Sequence, residues 1–225
     1  MSPEDLTTAG ETMPPDALAH QFDDLEQQHS AATLGMWVFL ATEVMFFGGM
    51  FLGYAVYRHA YPQAFAVGSR HMELVLGAVN TAVLLTSSFT MALAVRAAQM
   101  GRRRATVGFL LVTICFGLAF LGIKAVEYTG HIREGLSPGP GFHFEGPQPE
   151  QVHLFTSFYF VMTGTHAVHM VVGVVLLSVI AWLAWRGRFG PEHHAPVEVS
   201  GLYWHFVDMV WIFLFPLFYL IDIHR

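Results

Sequence analysis

Glu43 stands in the run Trp37-Val38-Phe39-Leu40-Ala41-Thr42-Glu43-Val44-Met45-Phe46-Phe47, with no other ionisable side chain in it. In lipid, an ionised carboxylate at mid-helix costs at least about 2.5–3.5 kcal/mol. A carboxyl kept there either handles protons or senses lipid headgroups, or it bonds a neighbouring helix as polar glue. His166 and His169, in Gly164-Thr165-His166-Ala167-Val168-His169, are three residues apart and so fall on one helix face. His205 and Asp208 repeat that spacing in Tyr203-Trp204-His205-Phe206-Val207-Asp208-Met209-Val210-Trp211. Clustered histidines can hold copper, zinc or haem iron. However, two on one helix cannot occupy opposite faces of a porphyrin, and a metal would need ligands from further helices. The plainer expectation is that His166, His169, His205 and the nearby His153 are packing, headgroup or inter-subunit contacts. Asp208 is then expected near an interface, fixed by His205 or an arginine. Lys124 and Glu127 also lie three apart and predict an interfacial ion pair with the lysine snorkelling outward, or a Glu127 paired to another helix.

Five apolar stretches must carry these residues: roughly 33–57, 74–95, 105–128, 153–185 and 201–221. Each reaches the ~20 residues that span a hydrocarbon core of ~30 Å as a helix. At ~1.5 Å per residue the fourth is longer than the bilayer needs, so it tilts or projects. A bilayer offers no partners to an open backbone, so continuous apolar runs predict helices rather than a barrel of alternating strands. The fold class is therefore all-α, a polytopic integral membrane protein with five transmembrane helices over 33–225. Residues 1–32 form an acidic tail with seven Asp or Glu and no Lys or Arg. It is expected to be mostly disordered and cytoplasmic, and it lacks the basic and apolar regions of a secretory signal. Arg96–Arg104 predicts a tight turn, and 130–149, rich in Gly and Pro, an irregular loop. Gly49 and Gly53, spaced Gly-x-x-x-Gly, predict close helix packing.

Composition agrees. Of 225 residues, 54% are hydrophobic and 12% charged, against ~25% charged in soluble domains. A lone cysteine, Cys115, excludes an intrachain disulfide and a cysteine-cluster metal site. No phosphate-binding or zinc-protease motif occurs, and the single short basic cluster gives no support for nucleic-acid binding. Five crossings put the termini on opposite sides. The N-terminal side collects Arg96, Arg102, Arg103, Arg104, Arg186 and Arg188; the other holds Arg58, Arg70, Arg133 and Arg225, with Lys124 as a fifth cation. The positive-inside rule then sets the N-terminus in the cytoplasm and the C-terminus outside. No internal repeat supports an independent transporter. On these grounds alone a catalytic redox or transport protein and a supporting helical subunit both stay open, the second favoured.

Four segments in chain order resemble subunit III of the haem–copper terminal oxidases, in its five-helix form: Gly35–Phe47 with Glu43, Lys124–Tyr128 with Glu127, Phe158–Gly173 with His166 and His169, and Tyr203–Trp211 with His205 and Asp208. The resemblance covers about 33–221. It implies a multi-pass subunit in a bacterial-type inner membrane, within a complex that reduces dioxygen to water and pumps protons. It implies no redox centre in this chain: haem and copper belong to partner subunits. It also implies direct contact with oxidase subunit I, contact with other subunits, bound phospholipid, and support of proton uptake through Glu43, Glu127, His166, His169, His205 and Asp208. Within the family, the Glu43 segment looks more like the cytochrome c oxidases than the quinol oxidases; a nitric oxide reductase accessory subunit shares the helix pattern.

Overall fold

The computed structural model describes residues 21–139, 141–190 and 194–221; of the 1–32 tail expected to be mostly disordered, residues 1–20 lie outside them, and the part from Leu25 on is corrected to helix. All its regular elements are helices: α1 (Leu25–Ala60), α2 (Pro62–Arg70), α3 (Leu74–Gln99), α4 (Arg103–Arg133), α5 (Pro149–Trp185) and α6 (Ala195–Tyr219). Five of them, all but α2, are long and apolar enough to cross a membrane. They match the five expected spans and extend several of them. α1 begins at Leu25 because Asp24 caps it, its carboxylate accepting from Gln27 N at 2.7 Å, with Glu26 in the first turn suiting the helix dipole. α1 stops before Pro62, which lacks an N–H to continue the ladder and opens α2 instead. This short helix was not foreseen. The Arg96–Arg104 turn is as tight as expected, closed by Gly101 at φ +66, a conformation that favours glycine.

α3 and α4 form the most extensive helix contact. Small buried residues allow it: Ala94, Ala97 and Ala98 on α3, and Thr106, Thr113 and Gly117 on α4. α6 is the hub, touching α1, α2, α3 and α5. Its fully buried Trp204 enters a slot that only glycines leave open: a Cβ on Gly117 or Gly173 would lie 2.7 or 2.9 Å from the ring. α6 continues through Pro216 to Tyr219.

α1 is peripheral. It buries one narrow stripe, Leu40, Phe47 and Tyr54, spaced seven apart, while Trp37, Val44, Met45, Phe46 and Leu52 are exposed. In lipid that apolar surface suits acyl chains or another subunit. The glycine expectation is corrected here. Gly48 and Gly49 meet nothing within 4 Å and Gly53 touches only Phe158, because the stripe turns them outward. At the opposite end to the α3–α4 turn, Tyr54, Phe65, Phe155 and Phe218 join α1, α2, α5 and α6 with ring centroids 5.0–5.7 Å apart. The Tyr54 hydroxyl donates to the Leu217 carbonyl there.

Candidate functional site

Glu43 and His169 meet between α1 and α5, where those helices otherwise touch sparsely. His169 Nε2 lies 3.0 Å from Glu43 Oε2, and Nδ1 lies 2.9 Å from the Thr165 carbonyl. A carbonyl only accepts, so Nδ1 carries its hydrogen. The Nε2 contact then needs a further proton, from a Glu43 hydroxyl or from an imidazolium. The pair is thus a proton-sharing couple in either form. The Phe47 ring packs on the imidazole at 5.2 Å, and the Tyr203 hydroxyl donates to the His169 carbonyl at 3.0 Å. Both side chains are half-buried, at 17% and 18% exposure. Exposed Val44, Met45, Val168 and Val172 adjoin them in sequence, so the couple opens toward lipid.

Lys124 and Glu127 pair at 2.9 Å, but not at an interface. Both are buried, which corrects the snorkelling expectation. The lysine is held inside because Nζ also donates to the Tyr159 and Tyr219 hydroxyls at 2.9 and 3.0 Å. The rings of Tyr128, Tyr159, Trp211 and Tyr219 surround it with centroids 4.8–5.7 Å away, supplying cation–π attraction in place of water. Tyr219 donates in turn to Glu127 Oε1, so the pairing of Glu127 to another helix is also present. His131 stands 3.9 Å from the same oxygen.

The two His–x–x–His/Asp spacings separate in space. A step of three residues turns a helix by ~300°, enough to split neighbours between two contact faces. His169 reaches α1, while His166 enters the core between the rings of Phe120 and Trp211, each 5.4 Å away. His205 Nδ1 meets Ser88 Oγ of α3 at 2.7 Å. Asp208 is buried near the middle of α6, with Ser88 in hydrogen-bonding reach of its carboxyl. Its expected place at an interface is corrected, and His205 reaches it only through Ser88. His153 faces the α4–α5 loop, accepting from Gly139 N at 3.2 Å and stacking on Phe142. The histidines are dispersed rather than gathered. His169 uses both nitrogens, His166 is closed in by aromatic rings, and no three metal-ligating side chains converge among the described residues.

Sequence reasoning missed Tyr159, Tyr203, Trp211, Tyr219, Ser88 and Asn80. Asn80 was findable as an amide interrupting Leu74–Val95; the tyrosines were not, since belts of aromatic residues are ordinary in membrane helices. A cleft of about 790 Å³ was missed too. It lies at the C-terminal end of α1, lined by Tyr54, Arg58, His59, Gln63, Leu217 and Ile221 among others.

Comparison with known proteins places these features in a family. The family described as cytochrome c oxidase subunit III matches residues 23–134 and 143–222. Cytochrome c oxidase subunit 3 of Thermostichus vulcanus is 31% identical over 90% of this chain and 90% of its own. Its namesake in Synechocystis sp. is 33% identical over 83% of this chain and 74% of its own. The cytochrome bo(3) ubiquinol oxidase subunit 3 of Pseudomonas aeruginosa is 29% identical over 90% and 91%.

Proposed function

The chain belongs to the cytochrome c oxidase subunit III family, and from that premise we propose that it supports proton uptake and binds phospholipid in a proton-pumping haem–copper oxidase supplied by cytochrome c. Family membership makes it a multi-pass membrane subunit of a terminal oxidase complex. The finer reading rests on one observation, the Glu43–His169 couple. A proton shared at 3.0 Å, at mid-helix, on a lipid-facing seam, is a place where charge can be held and passed on at a fixed depth. Glue would not need a carboxyl. The chain's part is positional: Thr165 fixes the imidazole tautomer, Tyr203 ties the His169 backbone to α6, and Phe47 shields one side.

The reading places haem and copper in partner subunits. The commitments of His166, His169 and His205 support that assignment. Direct contact with oxidase subunit I is part of this reading. The cleft beside Arg58 and His59 suits a phospholipid, its phosphate on the Arg58 guanidinium with His59 beside it and its chains against Leu217 and Ile221. The arginines at the α3–α4 turn and after α5 support an N-terminus on the cytoplasmic side of a bacterial membrane. A quinol donor is the second reading, favoured by the Pseudomonas aeruginosa relative; the Thermostichus vulcanus and Synechocystis relatives carry somewhat more identity.

The test is Glu43→Gln in the assembled, lipid-reconstituted oxidase. Expected are unchanged subunit stoichiometry and haem content, with fewer protons pumped per electron or earlier loss of activity during turnover. Wild-type pumping and lifetime would reduce Glu43 to glue. Oxidation assays on the same preparation with reduced cytochrome c and with quinol decide the donor.

A further inference from the structure

Among the described residues, the buried side-chain nitrogens and oxygens without a protein partner number seven, and they belong to four residues: Asn80, His131, His166 and Asp208. These lie on α3, α4, α5 and α6, one per helix, and α1 contributes none. Their exposures are 0, 4, 1 and 3%, so neither lipid nor an added subunit reaches them. Errors of proton or amide placement do not remove the deficit. Both atoms of the Asn80 amide lack partners, so flipping it changes nothing. Both nitrogens of His166 lack them too, so each tautomer leaves one donor and one acceptor empty. The ring is pinned by Phe120 and Trp211. Ser88, which bonds His205, also reaches the Asp208 carboxyl, but one hydroxyl serves one oxygen and leaves the other without a partner.

The four sites line up. Asp208 is one turn before Trp211 on α6, and Tyr219 is two turns beyond it. The Trp211 ring packs on both Phe120 and His166, and its N–H donates to Thr81, the neighbour of Asn80. The Lys124 ammonium sits 5.1 Å from the same ring and bonds Glu127, Tyr159 and Tyr219. His131 packs on Tyr159 and stands 3.9 Å from Glu127 Oε1, which joins it to the same network. At ~1.5 Å per residue, Asp208 to Tyr219 is about 16 Å along α6. Buried polar atoms in a bundle are satisfied by protein or by ordered water, and a water is stable where two to four polar partners surround it.

We propose that the α3–α6 core binds a line of internal water molecules, running from Asp208 past His166 and Asn80 to the Lys124–Glu127–Tyr219 network and His131. The line is separate from the Glu43–His169 couple, which faces lipid on the α1 side. It makes the core of this subunit wet along roughly half the length of α6, and it joins a mid-depth carboxyl to the tyrosine-caged ion pair through exchangeable hydrogens.

The experiment is synchrotron X-ray hydroxyl-radical footprinting of the intact wild-type oxidase in lipid nanodiscs. It compares Phe120, beside His166, with Phe155, in the dry aromatic cluster; both are 0% exposed. Radicals arise where water is bound, so Phe120 is expected to oxidise several-fold faster than Phe155. Equally slow oxidation of the two overturns the proposal. A cryo-electron-microscopy map of the same complex, at a resolution showing ordered waters elsewhere, should place density within hydrogen-bond distance of Asn80 and His166. Direct bonds between the four side chains, or dry contacts around them, would also overturn it.

Discussion

Removing the ammonium while leaving its carboxylate should be far worse than removing both. In Lys124→Met, Glu127 keeps the Tyr219 hydroxyl but loses its only cation within 3 Å. Breaking a buried pair from one side typically costs about 3–5 kcal/mol. Tyr159 and Tyr219 also lose their shared donor, adding about 1 kcal/mol each if unreplaced. In Lys124→Met/Glu127→Met the orphaned charge is gone. The remaining cost is the tyrosine hydroxyls, about 1–2 kcal/mol, partly offset by apolar packing. The double variant should therefore be more stable than the Lys124 single by at least about 2 kcal/mol. A chain this size shifts its midpoint by roughly 2–4 °C per kcal/mol. The single variant should then release subunit III from the complex on the order of 10–20 °C below wild type, and the double variant should recover most of that. The assay is heating the purified oxidase and following the subunit remaining bound. A double variant as weak as the sum of its singles would refute the account: the pair would then be coupled no more than a surface salt bridge.

Three further outcomes follow from the geometry. Gly173→Val should cost about 1–3 kcal/mol by overpacking, read as a lowered release temperature, because even a Cβ there comes 2.9 Å from Trp204; Gly48→Ala, in open space, should be neutral or stabilise by up to about 1 kcal/mol. Tyr203→Phe should cost about 0.5–1.5 kcal/mol in the same assay, through its bond to the His169 carbonyl, without the pumping loss expected of Glu43→Gln. Asp24→Ala should fray the first turn of α1 and cost about 0.5–2 kcal/mol, seen as faster amide hydrogen exchange at Gln27.

The spans were legible because lipid imposes a one-dimensional rule: enough consecutive apolar residues must be a helix. The ends were less so. α1 starts eight residues before the apolar run at Thr33, since Asp24 and Glu26 are good helix-start residues that hydropathy does not see. α2 is too short and amphipathic to register as a span. Of the site, Glu43 was legible because a carboxyl among Val, Met and Phe has no cheap explanation. Its partner was not: His166 and His169 carry the same spacing signal, and only the angle at which α5 meets α1 decides which one reaches Glu43. The Lys124 reading erred for a related reason. Snorkelling assumes that no desolvated partners exist, and the four rings and two hydroxyls that hold the ammonium come from three helices far apart in sequence.

The two membrane carboxyls therefore divide the polar chemistry of this subunit. Glu127 is saturated, with an ammonium and a phenol on its oxygens. Any change in its charge would strand Lys124, so its state is tied to the integrity of the α4–α5–α6 core. Glu43 has one strong partner, on a helix that α1 otherwise barely touches. The pair is the polar contact of the α1–α5 seam, which is otherwise apolar: Phe47 packs on His169, and Tyr54 and Tyr57 pack on Phe158. The geometry therefore ties Glu127 to the integrity of the core and leaves Glu43 the less committed of the two glutamates inside membrane helices.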